Sequence, residues 1–157
     1  MRLFFARHGE SQANLRHVIS NRGLQHGLTL NGRKQAHTLA QTLNNQKITS
    51  IYSSPLLRAI ETSVILANQL NIGYEIVDAL REYDCGILEG QYDETSWQRW
   101  HELFDRWTVQ KDWDYRLESS ESFRDIQNRF VPFIDRLIYQ FGDTDAAILC
   151  VSHGGIY

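Results

Sequence analysis

Residues 3–10 read LFFARHGE, four apolar residues followed at once by an arginine, a histidine, a glycine and a glutamate. A short apolar run that ends in polar residues is typical of a buried parallel strand whose carboxyl end carries a functional loop. The same pattern recurs three times further along the chain. It predicts strands at residues 3–6, 48–52, 74–77 and 146–151. The first, second and fourth of these are predicted to be buried on both faces.

Helical patterns separate the predicted strands. Apolar residues recur at intervals of three and four after Thr29 and again after Ser54, each a candidate N-cap, and Pro55 would take the first helical position of the second helix. An aromatic stripe over 97–107 and an apolar stripe over 123–141 predict two more helices. Because strand and helix alternate, the predicted fold class is α/β, a three-layer sandwich with a mainly parallel central sheet flanked by helices.

The composition is that of a soluble globular domain. The chain has 157 residues, of which 42% are hydrophobic and 22% charged, and its formal net charge is −3. This balance excludes a disordered chain, and it provides neither a basic stripe for nucleic acid nor a polybasic membrane anchor. We therefore expect a single domain over residues 1–157 with no nucleic-acid or membrane partner.

Targeting signals and cysteine usage indicate a reducing compartment. No apolar stretch is long enough for a signal peptide or a membrane span. The two cysteines, Cys85 and Cys150, form no C-x-x-C pair and are too few for a disulfide scaffold. The expected location is the cytoplasm.

Each predicted strand is followed by a residue suited to phosphate binding or proton transfer. Arg7 and His8 follow the first strand, and Arg58 follows the second. Glu82 follows the third strand and His153 the fourth. Because ligands bind outside the carboxyl ends of an open parallel sheet, we expect these side chains to converge on one edge. Two guanidiniums and two imidazoles there would form a cationic pocket for a phosphoryl group, although the protein as a whole is acidic.

Five motifs together carry a family resemblance. They occupy residues 7–11 (RHGES), 28–36 (LTxxGxxQA), 53–62 (SSPLxRAxxT), 80–90 (LRExDxGxxEG) and 152–155 (SHGG). In this order the motifs resemble the histidine phosphatase superfamily, whose members have a phosphoglycerate mutase-like fold. The resemblance extends over nearly the whole chain.

The resemblance implies a role for each residue of the predicted pocket. His8 would be the nucleophile that forms a phosphohistidine, splitting one difficult displacement into two easier ones. Arg7, Arg58 and His153 would bind the phosphoryl oxygens, where charge-assisted hydrogen bonds are strong. Glu82 would protonate the leaving oxygen and later activate water, which requires a pKa above that of a free glutamate.

Three further residues are predicted to bind substrate. Asn14 and Ser20 match family positions that line the phosphate pocket, and Gly154 follows the second catalytic histidine. The scheme requires no metal and no other cofactor, and the sequence has no metal-ligand motif such as H-E-x-x-H. The expected partner is a small phosphorylated metabolite.

Some residues have more than one possible role. Asp84 and Glu89 lie close to Glu82 in sequence and could supply the acid instead. The tryptophans of the aromatic stripe, Trp97, Trp100 and Trp107, fit core or lid packing better than a base-stacking platform. They are also candidates for substrate specificity, because in this family the segment between the acid and the second histidine covers the active site. Two loop histidines could touch the substrate: His17 and His26.

Three functions fit these residues. The first is metal-independent hydrolysis of phosphomonoesters. The second is a cofactor-dependent phosphoglycerate mutase, although the stretch between Glu82 and His153 looks shorter than in true mutases. The third is a non-catalytic binding or scaffold protein that retains the pocket. The complete catalytic set favours an enzyme, and the short stretch favours hydrolysis.

The end of the chain is short for the resembled family. Members usually continue past the S-H-G-G motif with a helix and further strands, whereas this sequence ends at Tyr157. We therefore expect a domain without the C-terminal helix and strands, with its first strand left as an unprotected edge. Low stability or self-association into a homodimer would follow.

Overall fold

The computed structural model describes residues 1–155. Four parallel strands and five α-helices form the framework. The strands are β1 (Arg2–Arg7), β2 (Ser50–Ser53), β3 (Tyr74–Ile76) and β4 (Ala147–Ser152). The helices are α1 (Gln12–Arg16), α2 (Leu30–Leu43), α3 (Leu57–Leu70), α4 (Glu94–Thr108) and α5 (Phe123–Phe141). All four predicted strands and all four predicted helices are therefore present.

The strand order in the described sheet is β1-β4-β2-β3, and the carboxyl ends of β1, β4 and β2 are aligned. Arg7 at the end of β1 pairs in register with Ser152, and Ser53 at the end of β2 pairs with Val151. Just beyond the strands, the backbone N–H of His8 still donates to the carbonyl of Ser152 at 3.1 Å. The register thus brings the loops after β1, β2 and β4 together at one edge of the sheet.

Alternate residues of β4 pack on opposite faces of the sheet. Leu149 and Val151 belong to a buried cluster with α2 and α3, which includes Leu66. Ile148 belongs to a second cluster on the other face with α5, which includes Phe133. Helices therefore cover both faces of a parallel sheet, and the predicted three-layer α/β class is confirmed.

The helix α4 contributes to a third apolar cluster, near the carboxyl edge of the sheet. Asp93 caps the start of α4 by accepting a hydrogen bond from the backbone N–H of Ser96 at 2.9 Å. Leu103 and Trp107 are buried in this cluster together with Tyr83. The aromatic stripe is thus one face of a helix that packs beside the loop carrying Glu82. Among the described helices, none has both the length and the apolar character needed to span a membrane.

Two details of the strands and one helix cap differ from the prediction. The described sheet has β1 at its edge, and Phe5 on this strand is 45% exposed, so burial of the first strand on both faces was wrong. In β2, Ile51 and Ser53 are buried but the other two residues are only half-buried. Only β4 is buried throughout. The reason is strand order, which places β4 in the interior.

Ser54 does not cap α3. Leu56, whose backbone is extended, is the N-cap residue, and the helix begins at Leu57 without a side-chain capping bond. The hydroxyl of Ser54 accepts a hydrogen bond from the backbone N–H of Leu56 at 3.3 Å and contacts His153. The predicted cap serine therefore belongs to the site.

Candidate active site

The loop that carries His8 is held against the start of α2 by two glycines. A Cβ atom on Gly9 would lie 2.4 Å from the carbonyl oxygen of Gly32, and a Cβ atom on Gly32 would lie 2.0 Å from the carbonyl oxygen of Glu10. Only glycine permits such a close approach of two backbones. The glycines of the first two motifs therefore fix the distance between the loop and the helix.

Hydrogen bonds from two helices complete this support. The backbone N–H of Thr29 donates to the carbonyl of Glu10 at 2.9 Å, and the N–H of Glu10 donates to the side-chain oxygen of Gln35 at 2.7 Å. The N–H of Gly9 donates to the hydroxyl of Thr62 on α3 at 3.1 Å. The motifs at the starts of α2 and α3 thus support the loop that carries His8.

The hydrogen bonds of His8 define its chemical state. The side chain is 7% exposed, and its Nδ1 lies 2.7 Å from the carbonyl oxygen of Gly9. Because a carbonyl can only accept, Nδ1 carries the hydrogen. The guanidinium Nε–H of Arg58 donates to Nε2 at 3.0 Å. Burial, followed by the positive charge of Arg58, lowers the pKa of His8 to about 3. At neutral pH the ring is neutral, with its lone pair on Nε2.

The two arginines of the site have no carboxylate partner among residues 1–155. Arg58 is buried in the first turn of α3, and Arg7 is exposed at the end of β1. Neither forms a salt bridge within the described chain. Burial lowers the pKa of Arg58, but a guanidinium remains protonated in proteins. The site therefore holds two positive charges that are free to bind an anion.

His153 lies beside His8 and is fully buried. The two ring centroids are 5.0 Å apart. Nε2 of His153 lies 2.7 Å from the hydroxyl oxygen of Ser54, and within residues 1–155 its Nδ1 has no hydrogen-bond partner. Burial and the neighbouring charge of Arg58 lower the pKa of His153 well below its ordinary value, so this ring is also neutral.

Counting hydrogens at Ser54 assigns the tautomer of His153. If Nε2 carried the hydrogen, the hydroxyl hydrogen of Ser54 and the lone pair on Nδ1 would both be buried without partners. If Nδ1 carries it, the Ser54 hydroxyl donates to Nε2, and only the Nδ1–H group lacks a partner. The second arrangement leaves fewer unsatisfied groups and is favoured. His153 then presents an N–H donor beside the nucleophile.

Glu82 supplies a buried carboxyl group to the same edge of the sheet. Its side chain is 9% exposed. One oxygen accepts a hydrogen bond from the backbone N–H of Tyr83 at 3.1 Å, and the other accepts one from the N–H of Gly155 at 3.3 Å. Burial raises the pKa of Glu82, although these hydrogen bonds and Arg58 oppose the change. A raised pKa is what a proton donor near neutral pH requires.

The two other carboxylates of this segment have structural partners. Asp84 forms a salt bridge with Arg22 at 2.6 Å. Glu89 accepts hydrogen bonds from the backbone N–H of Asn21 at 2.7 Å and from the thiol of Cys85 at 3.2 Å. Neither lines the cavity that holds His8. The structure thus favours Glu82 over both alternatives that the sequence left open.

A charged network fixes the loop that carries Glu82. Glu121 pairs with Arg81 at 3.1 Å and with Arg129 at 3.0 Å. Its carboxylate also accepts a hydrogen bond from the backbone N–H of Asp84 at 2.8 Å. Although burial acts in the opposite direction, these hydrogen bonds lower the pKa of Glu121. Residues on both sides of Glu82 are therefore tied to the segment that precedes α5.

A cavity opens over these side chains. Fourteen residues from four parts of the chain line it: Arg7, His8, Ser11, Ala13, Asn14, Val18, Ile19, Ser20, Asn21, Arg58, Glu82, Tyr83, Trp97 and Trp100. Four of the five predicted catalytic residues are among them. The fifth, His153, is not among the lining residues and packs against the ring of His8.

The predicted substrate-binding residues occupy different positions around the cavity. Ser20 is buried, and its hydroxyl has no hydrogen-bond partner within the described residues. Asn14 is exposed, and its side-chain oxygen accepts hydrogen bonds from the backbone N–H and the hydroxyl of Ser11 at 3.0 and 2.8 Å. Its amide nitrogen is left to donate. Gly154 is exposed beside the guanidinium of Arg7 and does not line the cavity.

Sequence reasoning missed several contributors and overestimated others. The support from Thr62 and the position of Asn21 in the cavity wall were not predicted. The signal for Thr62 was available, since it closes the S-S-P motif one helical turn after Arg58. The two loop histidines do not line the cavity: His17 and His26.

The fold and the site together define a class of protein. A parallel sheet brings to one cavity a neutral histidine with a lone pair on Nε2, two guanidiniums without a salt bridge among the described residues and a buried carboxyl group, with a second neutral histidine packed beside the first. This arrangement is suited to phosphoryl transfer through a covalent histidine intermediate.

Comparisons with known proteins agree with this class. A 6-phosphofructo-2-kinase/fructose-2,6-bisphosphatase from Gallus gallus is 35% identical over 137 residues, which cover 86% of this chain and 27% of that protein. Phosphoserine phosphatase 1 from Hydrogenobacter thermophilus is 32% identical over 138 residues, covering 87% of this chain and 64% of that protein. The crystal structure of the alpha-ribazole phosphatase from Shigella flexneri superimposes with a TM-score of 0.79 at 29% identity, over 99% of this chain and 75% of that one.

A family model completes the identification. The model of the histidine phosphatase superfamily (branch 1) matches residues 3–157. The chain belongs to this superfamily, and the resemblance predicted from the five motifs is confirmed. The chain spans about a quarter of the length of the bifunctional kinase/bisphosphatase relative.

Proposed function

We propose that this protein hydrolyses phosphomonoesters without a metal, through a phosphohistidine on His8 and with Glu82 as the proton donor. The observation that carries the proposal is the state of His8. Its Nδ1–H is held by the Gly9 carbonyl, and its Nε2 keeps a lone pair directed at Arg58. The names of its relatives support hydrolysis of phosphate esters.

In the first step the Nε2 lone pair attacks phosphorus and the bond from phosphorus to the ester oxygen breaks. The proton of Glu82 moves to that oxygen, and an alcohol leaves. Before attack, a bound phosphoryl group competes with Nε2 for the guanidinium of Arg58, which frees the lone pair. Arg7, Arg58 and the Nδ1–H of His153 then hold the negative charge.

In the second step the Glu82 carboxylate accepts a proton from water as the oxygen attacks phosphorus. The bond between phosphorus and Nε2 breaks, inorganic phosphate leaves, and both His8 and Glu82 return to their starting states. The two guanidiniums supply positive charge that a divalent cation supplies in other phosphoryl-transfer sites. Activity is therefore expected to be unchanged after treatment with a chelator. The proposed substrate is a small phosphorylated metabolite.

The test is phosphate release and phosphoenzyme formation with benzyl phosphate in the presence of a chelator. We expect an acid-labile, base-stable phosphoenzyme, and we expect H8A to lower kcat by at least about 10³-fold because the nucleophile is lost. His37 is exposed on α2 outside the cavity, so H37A is the matched control and should retain activity.

Two results would contradict the proposal. Absence of both turnover and phosphoenzyme on every ester would indicate a binding protein. Conversion of labelled 3-phosphoglycerate into its isomer without free phosphate would indicate a mutase.

A further inference from the structure

The cavity has two chemically different walls. The polar wall contains the guanidiniums and hydroxyls that suit a phosphoryl group, among them Arg7, Arg58 and Ser20. The apolar wall is formed by Val18 and Ile19 from the loop after α1 and by two tryptophans of α4. A phosphoryl group bound by the guanidiniums would leave this apolar wall, in which Trp97 and Trp100 pack on the cluster that contains Ile19, to contact the remainder of the ester.

The charges of the cavity are balanced by the phosphoryl group alone. Within residues 1–155, the lining contains two permanent cations, Arg7 and Arg58. A phosphomonoester dianion neutralises both of them. Arg22, which follows the lining residue Asn21 in the chain, is paired with Asp84 at 2.6 Å and lies outside the lining. A second anionic group on the substrate would find no further cation in the described lining, and burial of a charge without a counter-ion is costly.

The apolar wall is rigid before substrate binds. The ring of Trp100 stacks on Phe104 with centroids 4.2 Å apart, and Trp97 meets the edge of Trp100 at 5.6 Å. The indole N–H of Trp97 donates to the carbonyl of His17 at 3.0 Å, so this polar group is already satisfied. The wall therefore offers a fixed aromatic surface at small cost in conformational entropy.

These observations concern the substrate of the proposed phosphatase, and the following inference rests on that function. We propose that this protein selects monophosphate esters whose alcohol carries an apolar, preferably ring-shaped group and no second anion. Trp97 and Trp100 bind that group, and the missing third cation disfavours esters with a carboxylate or a second phosphate.

The decisive measurement compares benzyl phosphate with 4-carboxybenzyl phosphate. Both esters release a benzylic alcohol of similar size and basicity, and they differ by one negative charge. We expect kcat/KM to be at least about tenfold higher for benzyl phosphate, since the carboxylate would be left unpaired. Equal turnover, or a preference for the carboxylated ester, would overturn the inference.

Variants of the apolar wall test the same idea in both directions. W100A should lower the ratio of kcat/KM for benzyl phosphate to that for methyl phosphate by about tenfold, because a large apolar contact is lost. V18K places a cation on the apolar wall and should raise kcat/KM for 4-carboxybenzyl phosphate relative to benzyl phosphate by about tenfold. Trp113 lies outside the cavity, so W113A is the matched control and should change neither ratio.

The inference and the proposed function fail in different ways. If no ester is hydrolysed and no phosphoenzyme forms, the proposed function is wrong. If the esters are hydrolysed but neither W100A nor V18K changes the ratios, only the assignment of the apolar wall is wrong. If W100A does not fold, the V18K measurement still tests the assignment of the apolar wall.

Discussion

The floor of the cavity and its α4 wall are held in place by different forces. The floor, made by the loops after the four strands, is fixed by hydrogen bonds between buried polar atoms, such as the contact of Ser54 with His153. The α4 wall is fixed by apolar packing of Leu103 and Trp107 against Tyr83. On the floor, the identity of single atoms decides the chemistry. On α4, the volume of the side chains decides whether the wall stays in place.

This contrast predicts that floor substitutions reduce turnover with little change in stability, whereas α4 substitutions do the reverse. Among substitutions that keep the shape of the side chain, the largest effect is expected for E82Q, which removes the proposed proton donor. For benzyl phosphate, kcat/KM should fall by about 100-fold or more, because the departing alkoxide is no longer protonated. For 4-nitrophenyl phosphate, whose leaving group needs no proton, the loss should be below about tenfold.

The pH profile gives an independent measurement of the same role. The acid form of Glu82 is the active one, so kcat/KM should decline as pH rises through its raised pKa. His8 must be neutral, and with its pKa lowered to about 3 it should not limit activity above that pH. The decline should be absent in E82Q and present in the control D84N, which changes a partly exposed ion pair. A decline that persists in E82Q would assign the acid to another group.

On the other side of the contrast, L103A should act on stability. Leu103 is fully buried in the cluster that attaches α4 to the rest of the protein. Truncation should lower the free energy of unfolding by about 2–5 kcal/mol through the lost burial and the cavity it leaves. Denaturant titration measures this change, with the exposed neighbour E102A as control, expected within about 0.5 kcal/mol. If kcat of the folded L103A protein fell as far as that of E82Q, the distinction between a floor that determines turnover and an α4 wall that determines stability would be wrong.

Most functional residues of the floor could be predicted from the sequence because they lie in the segments that follow predicted strands. A parallel sheet brings such positions together whatever the order of its strands, so Arg7, His8, Arg58 and Glu82 could be placed at one cavity. The order itself is not readable from apolar runs. For this reason the apolar run of β1 predicted burial on both faces, and the exposure of Phe5 was missed, although the family resemblance had indicated an edge position for this strand.

Contacts between distant segments explain the remaining differences. Ser54 has the local pattern of a helix cap, and its use by His153 depends on the register between β2 and β4. The pairing of Glu121 with Arg81 and Arg129 joins the third-strand loop to α5 in the same way. Sequence patterns pair a polar side chain with a partner that is close along the chain. The fold instead favours the hydrogen-bond partner that leaves fewer buried polar groups unsatisfied.

Ser54 provides the smallest and most specific test of the floor. In S54A, Nε2 of His153 loses its partner, and the ring can place its hydrogen on either nitrogen. The population that presents Nδ1–H to the phosphoryl group then falls. We expect kcat/KM to decrease by about tenfold, in line with the cost of leaving one buried polar group unsatisfied. The readout specific to this role is the ¹⁵N spectrum of His153, which should show the Nδ1–H tautomer in the native protein and a mixture in S54A.

The chain offers a close control for this prediction. Ser63 is also fully buried, but its hydroxyl has no hydrogen-bond partner among the described residues. S63A removes the same atoms from a similar environment and should leave both kcat/KM and the His153 spectrum unchanged. If S54A and S63A behaved alike, the hydroxyl of Ser54 would contribute only packing. If instead S54A alone shifted the tautomer and lowered kcat/KM, turnover would depend on a hydrogen bond between two residues that do not line the cavity. Whether a buried residue of the floor affects turnover would then depend on where its hydrogen atoms lie rather than on its distance from the cavity.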